Sequence, residues 1–229
     1  MNHRFVLPIV GPAGCGKGTC CTFLEGLGAH VLTTSAVLED HSKRDASAGK
    51  IIHEYKHVLK QNVPDEIASA AMIGTLRRLF RQVHSGLFGL DGFGRGPDQF
   101  ARLAEWIENR NAHYEQVGLP LIKRGAVFLT LTEKETLWRV EKRVEEALAR
   151  GEIPRATDLG DIPKQRYDEY APIQERLKKV AESTMGLVTI IDLGKHSTLE
   201  AAAMIYGMTY EADPNVIAMH LRERFQEVA

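Results

Sequence analysis

This chain of 229 residues is poor in cysteine, almost without net charge, and free of long hydrophobic runs. Its three cysteines, Cys15, Cys20 and Cys21, lie close together and form no Cys-x-x-Cys pair, which argues against both a disulfide framework and a zinc knot. A reducing, cytoplasmic setting fits that usage. A formal charge of −1, from 29 Lys and Arg against 30 Asp and Glu, argues against a surface built for nucleic acid. No apolar stretch approaches the roughly 18 residues needed to cross a bilayer. The start, Met1-Asn2-His3-Arg4, leads into a strand-like run and does not read as a signal peptide. Internal repeats and low-complexity segments are also missing. What remains, 44% hydrophobic and 26% charged residues, suits one large soluble α/β domain with small inserted lobes.

Short apolar runs at 4–10, 29–33, 86–91, 126–131 and 187–192 predict five strands. Helical patterns fill 16–27, 35–43, 49–60, 65–83, 98–116, 133–149, 163–183 and 197–208, and residues 213–229 read as a further amphipathic helix. This alternation favours a parallel sheet with right-handed crossovers. Arg150–Pro163 carries two glycines, two prolines and no apolar period, so it reads as an exposed loop of functional length.

Between the first strand and first helix stands Gly11-Pro12-Ala13-Gly14-Cys15-Gly16-Lys17-Gly18-Thr19. Glycines let the main chain wrap a phosphate, with N–H groups and a helix N-terminus aimed at it, while Lys17 reaches the outer phosphates. The Gly-Lys-Gly-Thr ending, with the hydroxyl one residue later than usual, is a variant of this loop. A second motif, Gly86-Leu87-Phe88-Gly89-Leu90-Asp91-Gly92-Phe93-Gly94-Arg95 followed by Gln99, ends an apolar strand in a carboxylate. Asp91-Gly92 alone could be a hairpin turn. Beside a phosphate loop, Asp91 sits where open α/β sheets bind ligands and can hold the water shell of Mg²⁺. Arg95 suits bidentate contact with a phosphate. Arg139, Arg143, Arg150, Arg155 and Arg166 follow, with Asp158 among them. They could form a solvated, salt-bridged surface, or surround a transferring phosphoryl group from a loop that closes over it. His53-Glu54-Tyr55-Lys56-His57 matches the zinc pattern His-Glu-x-x-His, but no third ligand is evident.

Together these blocks, with Asn62-Val63-Pro64-Asp65-Glu66 and Arg155…Asp158…Arg166 leading to Tyr170, resemble the adenylate kinase family of nucleoside-monophosphate kinases over residues 4–206. The resemblance implies a P-loop fold with core segments 1–33, 65–149 and 164–212, an acceptor-binding helical lobe at 34–64 and a short lid at 150–163. It implies Mg²⁺-dependent phosphoryl transfer from ATP to a nucleoside monophosphate, AMP first and UMP, CMP or a deoxynucleotide next, by a monomer with no nucleic-acid or membrane partner. Gly11, Gly14, Cys15, Gly16, Lys17, Gly18 and Thr19 would cradle ATP, and Asp91 would organise Mg²⁺ through water. Arg95 would hold the acceptor phosphate, Gln99 would read the acceptor base, and Thr34 and Val63 would line that site. Arg155 and Arg166 would clamp the transferring group, joined by Arg143 or Arg150.

The chain departs from the family at Thr33-Thr34-Ser35-Ala36-Val37-Leu38-Glu39, the place of its Ser-Thr-Gly-Asp-x-Leu-Arg. Glu39 stands where the family has a phosphate-binding arginine, and a carboxylate there repels a phosphate. Either Glu39 turns away, pairing with Lys43, and Lys43 or Arg44 takes the contact, or the acceptor site is altered. A nucleotide-binding protein with weak or no catalysis is the reading from a different class. Gly94 stands in place of the family's proline.

Overall fold

The computed structural model describes residues 3–59 and 61–226. Five strands, β1 (Arg4–Val10), β2 (His30–Thr33), β3 (Gly86–Asp91), β4 (Lys123–Thr130) and β5 (Leu187–Asp192), form one sheet in the order β2-β3-β1-β4-β5. All neighbouring pairs are parallel. Parallel neighbours need crossovers. These are supplied by α1 (Lys17–Gly26), α2 (Thr34–Arg44), α3 (Ala46–His53), α4 (Asp65–Leu79), α5 (Pro97–Gln116), α6 (Glu133–Ala149) and α7 (Ile162–Met185), while α8 (Thr198–Tyr210) and α9 (Pro214–Gln226) follow β5.

The central strand explains its own composition. All seven residues of β1 are buried, because helices cover both faces of the sheet. On one face Phe88, Phe100, Phe128, Met72 and Leu76 pack with residues of α4, α5 and α7; on the other, Leu7, Ile9, Leu24 and Leu129 pack with α1, α8 and α9. Each side chain of this size that leaves water contributes roughly 1.5–3 kcal/mol. The one charge in β1 is satisfied: Arg4 donates to the carbonyls of Phe80 and Val83, both at 3.0 Å, and to the Tyr114 hydroxyl at 3.3 Å.

Several boundaries differ from the sequence reading. β4 begins three residues early, at Lys123, because Arg124 carries its charge out of the sheet to Glu108 (2.6 Å). The gap expected between residues 43 and 49 shrinks to Asp45, whose carboxylate accepts from the N–H groups of Ser47 and Ala48 and so starts α3 at once. After His53 the backbone continues as a π-helical turn over Glu54–Val58. The end of the expected helix at residue 60 lies outside the described residues, as do positions 227–229 of the expected C-terminal helix.

All three cysteines are buried and free. Burial first, then the nearby Cys15 and Asp91, pushes the Cys20 thiol up to about 12, and burial likewise raises Cys21. Iodoacetamide at pH 8 is therefore expected to leave Cys20 and Cys21 unmodified in the folded protein and to label them in urea. Rapid labelling without denaturant would contradict this packing.

Candidate functional site

The loop after β1 presents an uncapped helix. Gly16 precedes α1 with φ 105°, a left-handed conformation that favours glycine, and a Cβ there would lie 2.7 Å from Thr198 Cγ2. No side chain caps α1 and no acid occupies its first turn. The first N–H groups of a helix need partners, and these, with the positive end of the dipole, are left for an anion. Lys17 curls back meanwhile, its Nζ donating to the carbonyls of Gly11 and Pro12, both at 2.7 Å. Arg139, which as sequence could be a surface residue, steadies the loop. It donates to the carbonyl of Cys15 (2.9 Å) and to that of Leu193 after β5 (2.9 Å).

Sheet register brings the second motif alongside. Asp91 closes β3 opposite Ile9 of β1, at the carboxyl edge where the loop departs. Thr34 Oγ1 donates to the Asp91 carbonyl (2.9 Å), tying α2 to the same edge. The turn beyond it needs glycine: Gly94 has φ 89°, which the ring of the family's proline cannot adopt. Arg95 follows and donates to Asn62 Oδ1 at 3.3 Å. Lost solvation, then the charge of Arg166, lowers the Arg95 pKa, with Asp91 opposing. An arginine starts so high that it stays a cation.

The arginines divide. Arg143 on α6 grips Asp158 with both arms, Nε to Oδ2 at 2.8 Å and Nη2 to Oδ1 at 2.7 Å, and so fastens the short helical turn Ala156–Asp158 of the 150–161 connection. Arg155 and Arg166 have no ion pair among the described residues. Both face the cavity that joins these parts, of about 660 Å³, with Gly11, Gly14, Gly16, Lys17, Gly18, Thr19, Asp91, Arg95 and Arg143 also in its wall. Five cations (Lys17, Arg95, Arg143, Arg155, Arg166) meet three carboxylates (Asp91, Asp158, Glu169) there. That positive excess, focused in a concave site, suits a polyanion.

Other expected residues stand off this wall. Arg150 is exposed and paired with Glu152 (3.0 Å). Cys15 and Val63 are buried, Val63 in the apolar core. Glu39 does turn to Lys43, Oε1 to Nζ at 2.8 Å, and Arg44 pairs with Asp40, which also holds Arg78 (2.8 Å). Gln99 is buried, with both ends of its amide bound to protein. Asn62, Glu169 and Phe225 join the wall without having been singled out as ligands. Phe225 arrives from α9, edge-on to Phe23 at 4.8 Å, a long-range contact with no local signature. His53 and His57 lie exposed with ring centroids 5.0 Å apart. Among the described residues no three His, Cys, Asp or Glu side chains form a metal-binding group. No helix among the described residues is long and apolar enough to cross a membrane.

No protein-family profile matches the chain. Three curated relatives are each named adenylate kinase. The protein of Nitrobacter hamburgensis is 31% identical, with 75% of this chain and 76% of the relative aligned. That of Nitrobacter winogradskyi is 29% identical over 80% and 84%, and that of a Synechococcus species 29% over 89% and 96%. An uncapped helix after a glycine-rich loop on a five-stranded parallel sheet and this sustained identity lead to one conclusion: the chain belongs to the adenylate kinase family, enzymes that transfer a phosphoryl group to nucleoside monophosphates.

Proposed function

We propose that this chain transfers the γ-phosphoryl group of ATP reversibly to a nucleoside monophosphate, with AMP as the preferred acceptor. The observation that carries the proposal is the uncapped start of α1 opening into a cavity with a positive excess. Gly11–Thr19 holds the donor phosphates, and Lys17 leaves the loop carbonyls for them. The acceptor phosphate lies against Arg95 between the two nucleotides. It is already a nucleophile, so no general base is needed, and positioning with charge stabilisation supplies the rate. Arg155 and Arg166 meet the charge that develops on the transferring group, while Arg143 keeps the connection carrying Arg155 anchored through Asp158.

Magnesium fits the donor set. A magnesium ion shared with phosphates needs only one or two protein oxygens and keeps several waters. Asp91 and Thr19 both line the cavity beside the loop, so the Asp91 carboxylate, with the Thr19 hydroxyl, would hold that hydrated ion. When bound, the ion neutralises phosphate charge.

Residues 34–64 serve as the acceptor lobe and 150–163 as a lid, the latter closing with Arg155 to exclude water. A bisubstrate analogue, two adenosines joined by five phosphates, is expected to slow hydrogen exchange across 150–163. Equal exchange with and without it would count against a closing lid.

At Glu39 the proposal assigns the lost arginine's work to its neighbours. The Glu39–Lys43 pair is exposed and easily exchanged for a stronger anion. Lys43→Ala or Arg44→Ala should then raise the acceptor KM several-fold, while Glu39→Arg changes it little. A marked tightening of AMP binding in Glu39→Arg would instead mean that the native site is electrostatically handicapped.

A further inference from the structure

Helix α9 follows the residues, 4–206, that carry the family resemblance, and its far end returns to the phosphate-binding helix. Ile217, Ala218 and Leu221 are buried in the apolar cluster that also holds Cys20, Cys21 and Leu24 of α1. Arg222 pairs with Glu200 in the first turn of α8 (2.9 Å). Arg224 and Phe225 then grip the last turn of α1. Arg224 Nη1 donates to the carbonyl of Gly26. No basic residue of α1 itself lies in that turn, so Arg224 supplies the cation that the carbonyl end of a helix favours. Phe225 meets Phe23 edge-on, and a Cβ at Gly26 would lie only 2.9 Å from its ring. The backbone at Gly26 is helical, without a positive φ, and glycine is a poor helix former. Its place is explained by the room it leaves for Phe225.

We infer that the end of α9 is a brace for the phosphate-binding helix, with Arg224 and Phe225 as positioning residues for the donor nucleotide. α1 has 10 residues, so it is about 15 Å long. A short rod held only at its middle can tilt, and a shift at Gly26 then moves Lys17 by a similar distance the other way. Holding the last turn keeps the first N–H groups aimed at the phosphates, within the fraction of an ångström that a preorganised site needs. Phe225 also stands in the cavity wall with Thr22 and Phe23. The inference rests on the donor reading above and adds to it a segment outside the family blocks.

Calorimetric binding of ATP tests the brace without requiring turnover. Phe225→Ala should weaken ATP roughly fivefold and leave AMP within about twofold, the scale of a contact that reaches a site through its neighbours. Gly26→Ala pushes the same ring aside from the opposite partner. It should weaken ATP to the same extent, while the better helix former holds the melting temperature near wild type. The double variant should bind ATP no more weakly than either single one, because both remove one contact, and should melt above Phe225→Ala. Arg224→Ala should weaken ATP about two- to threefold, and Arg224→Lys, which keeps a charge at the helix end, should recover most of that loss. Unchanged ATP affinity in both Phe225→Ala and Gly26→Ala would overturn the inference. So would an affinity that follows the melting temperature and returns in the double variant, since α9 would then be a structural prop alone. A chain that binds ATP but transfers nothing would defeat the transfer reading by itself, and these affinities would still decide the brace.

Discussion

Lys17→Ala is expected to lower kcat about 10²–10³-fold, the scale of removing a preorganised cation from charge that develops in the transition state. The ammonium now rests on the carbonyls of Gly11 and Pro12. These bonds hold the side chain near the cavity at small cost, so a phosphate bearing more negative charge displaces them. Lys17 is only partly buried, and the loop's shape depends on Gly16 and on the Arg139 bond to Cys15, which the substitution leaves in place. Circular dichroism and melting should therefore remain close to wild type while turnover collapses. Near-normal turnover in a folded variant would remove Lys17 from the phosphate site, and the donor assignment with it.

Arg166→Ala should produce a loss of similar size but a different pattern. Arg166 projects from α7 into the cavity without an ion pair among the described residues, and its charge is felt at Arg95, whose pKa it helps to lower. Two cations this close repel until an anion comes between them. The doubly charged stage of transfer is where both are most stabilising, so kcat is expected to fall about 10²-fold or more, with both KM values changing by less than about threefold. Arg166→Lys should recover only part of the loss, because an ammonium lacks the planar fork that grips two phosphate oxygens. A change confined to acceptor KM would move Arg166 from the transferring group to the acceptor.

The loop Gly11–Thr19, the strand ending at Asp91 and the five-strand sheet were legible because each rests on local chemistry. Glycine spacing, a lysine and an apolar run set between helical patterns are written within about a dozen residues. The distribution of the arginines was less so. Arg139, Arg143 and Arg150 lie on one helix or its end, yet they bind a loop carbonyl across 124 residues, a buried carboxylate across 15, and a neighbouring glutamate. Only the last is local, and of the three only Arg143 stands in the cavity wall. Gln99 shows the same limit. The side chain that receives its amide, Asp65, is 34 residues away, and no spacing in the chain links the two. The early start of β4 was hidden because charged residues open the strand and disperse the apolar pattern. Phe225 reaches the cavity through α9, and no spacing in the chain announces that helix's contact with Phe23.

The central claim is that this cavity moves a phosphoryl group between two nucleotides. Its most direct measurement is the steady-state formation of ADP from ATP, Mg²⁺ and each of AMP, CMP, UMP and dAMP in turn, with Lys17→Ala as the reference for contaminating activity. Turnover is expected with at least one monophosphate, AMP foremost, saturating in both nucleotides and falling about 10²–10³-fold in Lys17→Ala. No product above that reference with any of the four, from a chain that still binds ATP, would contradict it and favour a nucleotide-binding protein without transferase activity.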